Sequence, residues 1–92
     1  MMKLIVFWDA YPEKLGEILH RLKAGDPMWI PPRGLEIVVE YVTPDGKFIQ
    51  ILEVENEAAI SKYVYTVGMD SRFCKSVHAS PVMLLQDWMD TL

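Results

Sequence analysis

The chain has 92 residues, 51% of them hydrophobic and 24% charged, a net charge of −4 and a single cysteine. This length holds one domain, 1–92, and the apolar and charged fractions argue against disorder. The acidic balance argues against a nucleic-acid partner, and the lone Cys74 excludes an internal disulfide and a cysteine-built metal site.

A mean hydropathy of +0.12 is high for so small a domain. Small domains bury a smaller share of their surface, so an apolar face should remain for an interface or a ligand groove. Residues 3–9 form an apolar run too short for a signal peptide or a membrane span, and Asp9 ends it. The chain therefore reads as cytoplasmic, with no membrane partner.

In chain order, residues 3–8 are apolar on both alternating faces, the pattern of a central strand. Pro12 suits a first helical turn. Leu15, Ile18, Leu19 and Leu22 then recur at helical spacing, His20 falls on the opposite side, and Gly25 is placed to end the helix. The stretch Gly25–Gly34 has three prolines and two interior-disrupting glycines, so no regular structure is expected there. Its Met28, Trp29 and Ile30 must pack on this domain or on a partner.

Leu35–Thr43 and Lys47–Val54 read as two strands joined at Thr43-Pro44-Asp45-Gly46, with Gly46 at positive φ. With Thr43 opposite Lys47, strict alternation sets Glu36, Val38, Glu40, Val42, Phe48, Gln50, Leu52 and Val54 on one mixed face. Leu35, Ile37, Val39, Tyr41, Ile49 and Ile51 fall on the other, more apolar face, which is expected to carry the helices. Asn56 is a good N-cap for a second helix through Ile60, Tyr63, Val64 and Val67, ending at Gly68. Residues 69–75 read as a turn region. Ser76–Met83 reads as a strand whose Pro81 implies an edge position or a bulge. Leu85, Trp88, Met89 and Leu92 close the chain at helical spacing.

The order βαββαβ gives an α+β, ferredoxin-like sandwich: a four-stranded antiparallel sheet, strands one and three central, two helices on one face. The mixed face is too apolar to stay wet, so a second copy is expected to cover it, making a homodimer with a dimeric α+β barrel. Here the chain resembles a family of short uncharacterised microbial proteins with that barrel. The resemblance rests on Pro32-Arg33-Gly34-Leu35, Gly46, Gln50-Ile51-Leu52-Glu53 and Pro81-Val82. Tyr41 stands where a tryptophan is common, and Val67-Gly68-Met69-Asp70 where a tryptophan–acid pair is common. That family carries no assigned activity, so the resemblance implies no catalytic residue.

Candidate ligand-binding residues are His78, Glu40, Gln50, Phe48 and Trp29. His78 with Glu40 and Gln50 on the mixed face would make a general base or ligand clamp in an apolar cavity. The plainer alternative is a histidine at a dimer interface or an exposed edge. Glu36 and Glu40, four apart on a strand, share a face in this reading. Trp8, Trp29 and Trp88 are either core or an aromatic cage, and Trp29, on its proline-stiffened loop, is a lid or a dimer contact. Arg72 and Lys75 are placed to lower the pKa of Cys74. No cofactor loop, CxxC or HExxH is present, so no cofactor or metal is expected. Two functions stay open: a dimer that binds a small apolar or amphipathic ligand or acts as a scaffold, and a small cofactor-independent enzyme of monooxygenase or isomerase type, its pocket on the open sheet face.

Overall fold

Residues with two apolar faces form the centre of the sheet. Strand β1 (Met2–Ala10) lies between β3 (Lys47–Val54) and β4 (Cys74–Pro81), and β2 (Leu35–Val42) pairs on the far side of β3, giving the antiparallel order β2-β3-β1-β4. This computed structural model describes residues 2–64, 66–67 and 72–92. The sheet with helices α1 (Leu15–Ala24) and α2 (Glu57–Tyr63) on one face is the ferredoxin-like plan. A third helix, α3 (Leu85–Asp90), follows β4.

Local chemistry sets the ends of these elements. Pro12 opens a short 3-10 turn, Pro12–Lys14, that runs into α1. Gly25 closes α1 at φ 73°, its N–H reaching the Arg21 and Leu22 carbonyls. The Asn56 side chain caps α2 by accepting from Ala58 N–H at 2.8 Å. The expected end of that helix at Gly68, and residues 69–71 of the expected turn, lie outside the described residues. Cys74 and Lys75 already belong to β4, which is an edge strand ending at Pro81, where the missing N–H costs no ladder bond. The proline-rich stretch is not wholly irregular: Pro27–Trp29 makes a 3-10 turn, with Trp29 N–H on the Asp26 carbonyl at 3.0 Å.

The face assignment from strict alternation is overturned. Strand β1 turns Leu4, Val6, Trp8 and Ala10 to the helices, and their partners Leu52, Gln50 and Phe48 in β3 follow them. Between Ile37 and Val39 the β2–β3 register slips by one residue, so Val38 is the extra residue of a bulge. Ile37, not Val38, faces Leu52. Leu35 and Ile37 therefore lie on the helix side and Val39 and Tyr41 on the open side. Glu36 and Glu40 end on opposite faces, not one. The open face carries Ile5, Phe7, Val39, Tyr41, Ile49 and Ile51, with Phe7 43% and Tyr41 66% exposed.

The core lies between the sheet and the helices, built on Leu4, Val6, Trp8, Leu52 and Val54 with Ile18 from α1 and Ala59 and Tyr63 from α2. Of the apolar stripe of α1, Ile18 is buried while Leu19 and Leu22 are exposed. The helix thus touches the sheet along a narrow line and leaves space beside it.

Gly46 sits at φ 93° in the β2–β3 turn, where a Cβ would stand 3.3 Å from the Ala10 carbonyl oxygen. The Gly46 carbonyl also accepts from Ala10 N–H at 3.0 Å, tying the hairpin to the end of β1. Gly46→Val should destabilise the fold by about 1–3 kcal/mol, read as a lowered midpoint in urea. An unchanged midpoint would contradict this turn geometry.

Candidate functional site

The space left beside α1 is a cleft on the helix-covered face. Its floor is the sheet: Trp8 from β1, Ile37 and Glu40 from β2, Phe48 and Gln50 from β3. Ile18 and Leu22 form one wall, Tyr63 and Val67 another, and Trp29 and Cys74 close the remaining side. Its cavity volume is about 60 Å³, and it opens to solvent at its mouth.

Four of the five residues singled out from sequence meet here: Glu40, Gln50, Phe48 and Trp29. The fifth does not. His78 pairs with Phe7 across β4 and β1 and stacks on that ring at 6.4 Å on the open face, exposed to solvent. The sheet separates His78 from Glu40 and Gln50, so a His78–Glu40 clamp does not form within the chain. The site also lies on the other side of the sheet from the one expected, because the face holding Gln50 and Phe48 is the one the helices cover.

Gln50 is the hub of the cleft and is 5% exposed. The indole Nε1 of Trp8 donates to Gln50 Oε1 at 2.7 Å. Gln50 Nε2 donates to Glu40 Oε2 at 2.8 Å and to Tyr63 Oη at 3.2 Å. An indole N–H can only donate, so it fixes which end of the amide is the carbonyl. The Trp8 ring meets Tyr63 edge-on at 5.5 Å. Sequence reading did not single out Tyr63. Its signal was a phenol among the buried positions of α2, where a polar tip needs a partner.

Trp29 is held from its far side. Its ring packs on Phe73 at 5.5 Å, and the Arg21 guanidinium lies 5.3 Å from the Phe73 ring centre. Arg21 in turn bonds Asp26 at 3.0 Å and Glu17 at 3.1 Å, anchoring the loop to α1. Trp29 is only 9% exposed, so within this chain it is a wall of the cleft. Its Nε1 is buried with no hydrogen-bond partner among the described residues. Trp88, by contrast, is 57% exposed on α3, so the three tryptophans form no common cage.

Burial pushes the Tyr63 phenol above its ordinary range; the Gln50 hydrogen bond works against that and Glu40 adds to it. The Cys74 thiol is pushed up to about 11, first by burial and then by Asp9. The lowering expected from Arg72 and Lys75 does not occur: burial in the cleft lining sets the direction. Both groups stay protonated at neutral pH. Among the described residues, no three His, Cys, Asp or Glu side chains gather as a metal site would require.

No protein-family model matches the chain, and no curated protein matches it. Solved structures do. PA3566 from Pseudomonas aeruginosa has a TM-score of 0.58 at 15% identity, over 91% of this chain and 93% of that one. An antibiotic biosynthesis monooxygenase has a TM-score of 0.58 at 15% identity, over 92% and 99%. At that identity the likeness is one of fold.

Two measurements check the site. Gln50→Leu leaves the Trp8 N–H buried without an acceptor and should cost about 1–3 kcal/mol. Trp8→Phe in the same chain should recover about 1 kcal/mol or more of coupling in a double-mutant cycle, and strict additivity would refute the bond. The raised Cys74 pKa means the folded state binds the thiol proton more tightly than the unfolded chain. Its contribution is complete below the ordinary 9.0 and is lost as pH rises toward about 11. Cys74→Ala should flatten the fall in stability across that window relative to the wild type, and iodoacetamide at pH 8 should label the native thiol slowly.

Proposed function

We propose that this is a homodimeric α+β-barrel protein that binds a small, mostly apolar molecule in the cleft under its helices, working in the cytoplasm. The observation that carries the reading is the Trp8–Gln50–Tyr63 chain of hydrogen bonds inside an otherwise aromatic and aliphatic cleft. Small-molecule sites combine apolar walls with a few convergent polar groups in this way. The location is supported by the lone thiol and by the absence, among the described residues, of a helix long and apolar enough to cross a membrane. Membership of the family of short microbial barrel proteins belongs to the same reading.

The dimer is supported by the open face. Ile5, Phe7, Val39, Tyr41, Ile49 and Ile51 give it an apolar centre, with Lys3, Glu36 and Glu53 at one end. A two-fold axis would set this self-complementary patch against itself, sheet on sheet. His78, at the edge of that face, then belongs to the interface rather than to the ligand site.

A second reading is a cofactor-independent enzyme using the same cleft. It is favoured by the fold likeness to the antibiotic biosynthesis monooxygenase and by protonated Tyr63, a donor held where water is largely excluded. Such donors stabilise charge that develops on a substrate oxygen.

Sedimentation equilibrium should give twice the 10.6 kDa chain mass at micromolar concentration, and a clean monomer would sink the dimer. Native mass spectrometry of protein purified from its own cells should show a co-purified small molecule. Leu22→Trp, which fills the mouth of the cleft, should remove that molecule and leave the dimer intact. Tyr41→Glu should do the reverse. The opposite pattern would move the site to the open face. The enzyme reading requires that the bound molecule be converted on incubation in air; recovery of the unchanged molecule would leave binding alone.

A further inference from the structure

The hydrogen bonds of the cleft have a direction, and that direction leaves donors over. Trp8 can only donate, so Gln50 must present its carbonyl there and turn its two amide hydrogens toward Glu40 and Tyr63. Tyr63 accepts one of them on its oxygen. Its own proton finds no acceptor among the described residues. The second unspent donor is the Trp29 indole N–H, on a side chain nine-tenths buried and without a partner. A buried donor left unpaired is costly, and native proteins rarely tolerate one without a use for it.

Charge narrows the occupant. No lysine, arginine or histidine lines the cleft among the described residues, and its one ionisable carboxylate, on Glu40, repels anions. Shape narrows it again. Trp8, Trp29, Phe48 and Tyr63 present flat aromatic surface around an enclosed space of about 60 Å³ that opens at the mouth, which suits a small flat ring.

We infer that the cleft is built for an uncharged, flat ligand bearing a hydrogen-bond-accepting oxygen of the ketone class, which takes the free hydrogens of Trp29 and Tyr63. This rests on the cleft being a ligand site. It adds the polarity of the contact: the protein donates and the ligand accepts. A hydrocarbon of the same shape fills the space but leaves both donors unpaired. A cationic amine gains Glu40 and the aromatic faces but sets its own donors against those of Trp29 and Tyr63.

Four probes of one skeleton separate these cases by NMR titration of the intact protein: 1-indanone, indane, protonated 1-aminoindane and indane-1-carboxylate. 1-Indanone should bind at least about tenfold more tightly than indane, the step expected when a buried donor gains a partner. The Trp29 indole N–H resonance should move downfield with 1-indanone and not with indane. Trp29→Phe and Tyr63→Phe should each reduce the preference for the ketone while leaving indane affinity within about twofold. If either variant fails to fold, the wild-type Trp29 shift decides the point. Equal affinity for 1-indanone and indane overturns the inference while leaving the cleft a binding site. Tighter binding of the amine or of the carboxylate also overturns it, in favour of an ionic ligand. Binding of none of the four overturns it together with the pocket reading.

Discussion

A donor-only group at the centre of the sheet governs the polar half of this molecule. The Trp8 indole N–H lies in the core and must find an acceptor there, since water does not reach it. Gln50, two residue pairs along the β1–β3 ladder from Trp8, supplies the acceptor from a diagonal position. Once its carbonyl is committed, its amide can only donate, and Glu40 and Tyr63 are the groups within reach. One bond between two central strands therefore orients β2 through Glu40 and α2 through Tyr63. An apolar residue at position 50 would pack as well but would specify none of this.

The architecture was legible in the sequence because it rests on period and punctuation. The doubly apolar β1, the helical stripe before Gly25, the Asn56 cap, the Gly46 turn and Pro81 on an edge strand are all decided within a few residues. The sides of the sheet were not legible, and one residue accounts for much of that. Strict alternation carried from Leu35 to Tyr41 fails at Val38, where the bulge flips the parity. On the β3 side no bulge intervenes, and the grouping of Phe48, Gln50, Leu52 and Val54 was right; only the choice of face was wrong. Gln50 misled that choice. A polar residue usually argues for the less buried side, but here the tryptophan across the ladder makes the buried side the satisfied one.

The candidate site was legible in part for a related reason. Glu40, Gln50 and Phe48 share a face in any register that pairs Thr43 with Lys47, so they were grouped without knowing which layer covered them. Trp29 stood out because an apolar residue in a proline-stiffened loop needs a surface to rest on. The side that His78 faces depends on the parity of an edge strand that no neighbouring turn fixes. The β1–β4 register slips between Asp9 and Ala10, and it is the pairing with Phe7, outside any local pattern, that turns His78 to the open face. In sequence Tyr63 is one more apolar position of α2, and its role emerges only when α2 is set over Gln50.

The corrected faces divide the labour of the sheet between its two sides. Alternate residues of the same central strands serve different ends: Trp8 points to the cleft and Phe7 to the open face, Gln50 to the cleft and Ile49 to the open face. The proposed ligand site and the proposed dimer surface are thus separated by one layer of backbone and touch no common side chain. This has a consequence for how the two can be coupled. A change in side-chain packing on one face reaches the other only by moving the ladder itself, and a paired, twisted sheet resists such movement. The more lightly packed part of the cleft is its helical roof, where α1 rests on Ile18 while Leu19 and Leu22 stay exposed. On the proposed reading, entry of a ligand through that side would ask the helix layer to shift and would leave the sheet, and whatever covers its open face, where it was.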